Sequence, residues 1–337
     1  MLRKKEKKHF EILPGDVEKA LQNNYLSILI SFHEMQSDFL SGVYKRYKNI
    51  ETANIILCFS RQMHLEIIRQ REKDLNHDVS LKNLWTNIEN VKKIPSTKIS
   101  EVVKNTNIPK ETVRRKINKL ISDGFLIINK SNKGYTWNLY TKHQEEFLNI
   151  INNEIVELSK FIYNIGRHFI KNLDSKSVEK EINSNFSFYW YHFLSCQLKW
   201  MNNWQLKLKD NELLLIVLQA LIPTLQHTDK KNEITNDNIF KLIGNVNNKS
   251  DHTEISVSAS SVSDITGIPR ATCIRKLDKL VSLRFLLKEQ KTKRYYVNQN
   301  LNERTKNILT KENVDFTIKN YSYFLSITLN ALLAKTW

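Results

Sequence analysis

Apolar residues fall at helical spacing along most of this chain. Leu21, Tyr25, Ile28, Phe32, Met35 and Phe39 predict a helix that starts at Asp16, a suitable N-cap, and runs to about Tyr47. Ile55, Ile56, Phe59, Met63 and Ile67 predict a second over Glu51 to Lys73, and Leu81 to Val91 reads as a third, shorter one. Phe147, Ile151, Ile155, Leu158, Ile162 and Ile165 stripe a long helix over Glu145 to Lys171. Further helices are expected over Val178 to Lys207, Asn211 to Gln226, Asn238 to Val246 and Val314 to Lys335. Two places break this period. Phe125 to Ile128 and Tyr135 to Trp137 flank a polar tip, and so do Phe285 to Leu287 and Tyr295 to Val297, which predicts two β-hairpins.

One pattern occurs twice. Asn107 to Leu120 reads N-I-P-K-E-T-V-R-R-K-I-N-K-L, and Gly267 to Leu280 reads G-I-P-R-A-T-C-I-R-K-L-D-K-L. The second lies 160 residues after the first (269 − 109), with no gap between them. A short helix precedes each, with Ser100 and Ser260 as expected N-caps. Asn107 and Gly267 then suit a left-handed turn, Ile108 and Ile268 lie under it, and Pro109 and Pro269 open the next helix. At 100° per residue Val113, Ile117, Leu120 and Ile121 share one side of that helix, as do Cys273, Leu277, Leu280 and Val281. The other side carries Glu111, Thr112, Arg115, Asn118 and Lys119, matched by Ala271, Thr272, Arg275, Asp278 and Lys279. Such a face fits a major groove, where arginine offers two donors to guanine or to phosphate.

These residues resemble the winged helix-turn-helix of bacterial MarR-like and IclR-like transcription regulators. The resemblance covers about 97–140 and 256–298, with departures in the second copy: Arg284 stands where Gly124 ends the first helix, and Ile274 stands for Arg114. It implies a DNA-binding set of Lys110, Glu111, Thr112, Arg114, Arg115, Asn118 and Lys119, with Lys130 and Lys133 on the first wing. The second set is Arg270, Thr272, Arg275, Lys276 and Lys279, with Lys291, Lys293 and Arg294 on its wing. MarR-like dimers pair through their terminal helices, so the resemblance also implies an intramolecular pseudo-dimer. The expected fold is mainly α: two winged helix-turn-helix modules, each with a small β-hairpin wing, embedded in long helices and related by internal duplication. A basic lead-in at 1–15 precedes one helical plus winged repeat at 16–173 and a second at 174–337, with Asp174 to Ser177 as the boundary.

Composition sharpens the partner. Lys and Arg number 52 against 35 Asp and Glu, a net charge of +17, which favours a polyanion. Basic wing tips favour double-stranded DNA over an anionic membrane. The basic start, Met1 to Lys8, has no apolar run after it and does not read as a secretory signal, and Leu213 to Leu225 is too short to span a bilayer. Cys58, Cys196 and Cys273 form no CxxC, which suits a reducing cytoplasm, and the expected DNA binding adds nucleoid association. No phosphate-cradling glycine loop, nucleophile elbow or H-E-x-x-H occurs, so no enzyme activity and no cofactor are expected. His192 and Cys196 lie four apart without a third ligand nearby, and no metal is expected. The aromatic stretch Phe186 to Trp204 reads first as core and second as an effector pocket for a small molecule, with Trp190, Trp200 and Trp204 as its residues. Two other functions fit the sequence: a plasmid- or phage-type replication initiator, and a protein-interaction scaffold on winged modules.

Overall fold

A computed structural model describes residues 11–86, 95–129, 133–138, 144–230, 252–298 and 311–335. Lys130, the expected helix at Asn238 to Val246, the end of the one at Leu81 to Val91 and most of the basic lead-in lie outside the described residues. The chain is mainly helical, with two small antiparallel two-stranded sheets.

The first half runs α1 (Pro14–Asn23), α2 (Tyr25–Tyr47), α3 (Ile50–Lys73), α4 (Leu81–Thr86), α5 (Ile99–Thr106), α6 (Lys110–Ser122), β1 (Leu126–Asn129), β2 (Gly134–Trp137) and α7 (Gln144–Gly166). The second runs α8 (Ser175–Ser184), α9 (Phe186–Leu208), α10 (Asn211–Lys230), α11 (His252–Ile255), α12 (Ala259–Thr266), α13 (Arg270–Ser282), β3 (Leu286–Lys288), β4 (Tyr295–Val297) and α14 (Lys311–Lys335). Helices α8, α9 and α10 begin 161 residues after α1, α2 and α3 (175 − 14, 186 − 25, 211 − 50). Helices α12 and α13 and strand β3 begin 160 residues after α5, α6 and β1 (259 − 99, 270 − 110, 286 − 126).

Several expected boundaries move. The helix expected over 16–47 breaks at Asn24, whose φ of −118° and ψ of 27° leave helical geometry. Its backbone N–H makes the last rung of the α1 ladder on the Ala20 carbonyl, and its side-chain Nδ2 donates to the same oxygen, a local bond that competes with that ladder. Asn185 breaks the helix expected over 178–207 in the same way, with its N–H on the Glu181 carbonyl and its Nδ2 on the Glu181 carboxylate. Asp16 is not the N-cap. It sits at the third helical position, and its carboxylate accepts from the Leu13 N–H. Ile12, inside the expected lead-in, is buried, and Asn330 of α14 holds its N–H and carbonyl. Ser100 and Ser260 lie within their helices, and the caps are Lys98 and Ser258.

The long helices pack by exchange. Helix α1 lies against α14 and α8 against α7, so each half's first helix packs on the other half's last. Likewise α3 lies against α9 and α10 against α2. Residues at equal places then meet at the centre. Gln36 and Gln197, 161 residues apart, each donate to the other's side-chain oxygen, at 3.0 and 2.6 Å. The Tyr321 hydroxyl closes this buried triad by donating to Gln197 and accepting from Gln36. Phe161 and Tyr321, 160 apart (321 − 161), meet edge to face at 6.1 Å. Phe39 against Phe193 and Phe32 against Trp200 extend the apolar centre on both sides. Among the described residues no helix is long and apolar enough to cross a membrane.

Candidate nucleic-acid interface

Helices α5 and α6 meet at Asn107, which takes φ +54°, and α12 and α13 meet at Gly267, with φ +74°. Both are left-handed, where asparagine and glycine fit best. At Gly267 an added Cβ would also come within 3.1 Å of the Lys45 side chain. Ile108 and Ile268 are buried below these turns, and Pro109 and Pro269 are the N-caps of α6 and α13. Val113, Ile117 and Leu120, and Cys273, Leu277 and Leu280, pin the inner sides of the helices.

Each hairpin is tied back to its helices. β1 pairs with β2 from Leu126 on Trp137 to Asn129 on Gly134, and β3 pairs with β4 from Leu286 on Val297 to Lys288 on Tyr295. Thr97 bridges to Tyr135 and Val257 to Tyr295, so the residue leading into each α5-type helix adds a third short edge. The sequence pattern held no sign of those bridges, since one paired residue leaves no alternation. Lys133 and Lys293 take positive φ, 54° and 57°, beside the hairpin tips.

On α6, Lys110, Glu111, Arg114, Arg115, Asn118 and Lys119 are exposed and Thr112 is half-buried. On α13, Arg270, Arg275 and Lys279 are exposed and Thr272 is half-buried. Arg115 and Arg275 occupy the same position and have no acidic partner among the described residues, nor do Lys110, Lys133, Lys279, Lys291 and Lys293. Arg114 pairs with Glu111 at 3.1 Å and Lys119 with Asp123 at 3.1 Å, in exposed pairs that hold their cations weakly. Arg270 donates to the Ser260 hydroxyl.

Two expected members, Lys276 and Arg294, do not join this face. Lys276 is buried, with Nζ 2.6 Å from Asp210 and 2.9 Å from Glu212, so it fastens α13 to the start of α10. Lys116 does the same for α6, on Glu51, Asn49 and Thr52. A helical wheel cannot separate such an inward lysine from an outward one, because the partner comes from elsewhere in the chain. Arg294 is half-buried, and its guanidinium donates to the Ser256 hydroxyl and carbonyl. Asp278, where α6 has Asn118, accepts from Lys288 at 2.8 Å and from the Tyr295 hydroxyl at 2.9 Å, which docks the second hairpin on α13. Its carboxyl, which burial alone would raise, is held below the usual range by those two hydrogen bonds.

The three tryptophans expected in one pocket are divided. Trp200 and Trp204 line one cavity. Trp190 stacks on Phe186 at 4.9 Å beside a second, smaller one. The chain matches no protein-family model, no curated protein and no solved structure.

Proposed function

We propose that this chain binds double-stranded DNA sequence-specifically and regulates transcription through two winged helix-turn-helix units that descend from one duplicated ancestor. One observation carries the proposal: Arg115 and Arg275 stand at the same place on matching helices, exposed and without acidic partners among the described residues. An exposed arginine at the middle of a helix that follows a tight turn suits guanine in a major groove. Uncapped first turns at α6 and α13, beside Lys110 and Arg270, suit phosphate. The reciprocal packing of the long helices lets one polypeptide offer the same face twice, as a symmetric dimer does. The two faces differ, Glu111 against Ala271 and Asn118 against Asp278, so the preferred site is an imperfect palindrome. Its half-sites are spaced by about one helical turn, roughly 34–36 Å.

The test begins with recovery of bound genomic fragments and continues with affinity measurements on the recovered site. Arg115→Ala is expected to cost ~1–3 kcal/mol on that site and to relax its sequence preference. Lys133→Ala is expected to weaken all sequences alike and to lower the salt slope by about 1. An Arg115→Ala chain with unchanged affinity and preference would sink the assignment, and binding without a steep inverse salt dependence would favour the scaffold.

A further inference from the structure

The two halves carry the same cavity position in different states. In the first half the space among α2, α3, α9 and β2 is about 20 Å³, with Trp137, Trp190 and His64 among the residues around it. In the second half Val297, Leu29 and Leu225 stand at those places (297 − 137 = 160, 190 − 29 = 161, 225 − 64 = 161), and the cavity is about 180 Å³. Valine and leucine in place of two indoles open the space. An apolar cavity of this size accepts a ring the size of benzene or somewhat larger.

Its walls define the ligand. None of the described residues lining it is acidic, lysine or arginine. His33 is held neutral near pH 7, its pKa pushed by burial down to about 4 against the opposing pull of the Leu29 carbonyl. The Tyr321 hydroxyl is committed to Gln36 and Gln197. The Trp204 indole N–H is buried and does not open into the space.

We propose that this cavity is a single binding site for a compact, uncharged, apolar aromatic molecule. Leu280 of α13 and Phe285 just before β3 form part of the wall, so the ligand sits under the second of the two units. Its role as an effector of DNA binding rests on the function proposed above.

The full chain is tested by calorimetry and thermal unfolding with three probes of similar shape: acetophenone, which is neutral with a carbonyl acceptor, ethylbenzene, which has none, and benzoate, which is charged. Acetophenone and ethylbenzene are each expected to bind at one site and raise Tm. Benzoate is expected not to bind, because a carboxylate would lose its water against uncharged walls. The pair Leu29→Trp with Val297→Trp, which copies the other half, is expected to abolish binding. Val297→Trp alone carries the same expectation should the pair not fold. Absence of acetophenone binding, equal binding of benzoate, or undiminished binding in the filled variant overturns the site. A chain that binds acetophenone but no duplex DNA overturns the proposed function and leaves the site standing; one that binds DNA but no probe does the reverse.

Discussion

His64 is fully buried on α3, edge to face with Phe186 at 5.3 Å and with its Nδ1 3.2 Å from the Ser187 hydroxyl. Burial pushes its pKa down to about 3. In the unfolded chain the same imidazole protonates near its ordinary 6.5. Between those values the unfolded state holds the extra proton, so stability is full above pH 6.5 and falls as the pH drops towards 3. The contribution of this one group is on the order of 5 kcal/mol across the whole window. His33 adds a fall in the same direction between 6.5 and about 4. Leu225 and Leu194 hold the corresponding places in the other half (225 − 64 = 161, 194 − 33 = 161), so leucine is the natural replacement. Urea unfolding at pH 7 and pH 4.5 is expected to show a steep loss of stability for the native chain and a clearly smaller loss for His64→Leu with His33→Leu. Equal losses in the two proteins would show that these imidazoles do not control the acid limb.

At the scale of the element, each α6-type helix is held by one lysine that reaches the start of a long helix, Lys116 to α3 and Lys276 to α10. The second is the more buried and meets two carboxylates. Lys276→Met leaves Asp210 and Glu212 crowded without their cation and is expected to cost about 2–4 kcal/mol in denaturant unfolding. Lys279→Met, three residues on and exposed, is expected to stay within about 0.5 kcal/mol. Similar costs for both would mean that Lys276 does not fasten α13 to α10. This contrast also marks what was legible from the residues. The turn at Asn107 and Gly267, the inward rows and the hairpins were legible, because each rests on local backbone preference and period. The roles of Lys276 and Arg294 were not, because their partners, Asp210, Glu212 and Ser256, come from other elements. The helix breaks at Asn24 and Asn185 were missed for another reason: an apolar stripe runs through them, and asparagine ends a helix only where its side chain turns back on the preceding turn. Arg284 makes a related point. It takes φ +65° where Gly124 takes +82°, so a site that favours glycine holds arginine, and no residue preference would have placed the turn there.

At the scale of the whole molecule the exchange of helices decides what kind of folding unit this is. Each half's first helix is buried against the other half's last, and each half's third against the other's second. The centre they enclose holds Gln36, Gln197 and Tyr321 hydrogen-bonded out of water, ringed by Phe32, Phe39, Phe161, Phe193 and Trp200. A half taken alone would expose that aromatic surface and leave a buried glutamine without its partner, and both costs exceed what a small helical unit tolerates. The connection between halves, by contrast, is slight: Lys171, Asn172 and Asp174 are exposed, and Asn172 has φ +58°. Cutting the chain there therefore removes almost no packing. We expect residues 1–172 and 173–337, produced together, to form a one-to-one complex with the helical content and unfolding midpoint of a concentration-dependent dimer. Produced separately, each is expected to self-associate through the surface its partner would cover, or to lose cooperative unfolding. Light scattering with circular dichroism on the separate fragments reads the result directly. A lone half that is monomeric, fully helical and cooperatively folded would mean that the two halves are ordinary neighbours on one chain, and that Gln36 and Gln197 meet across a surface neither of them needs.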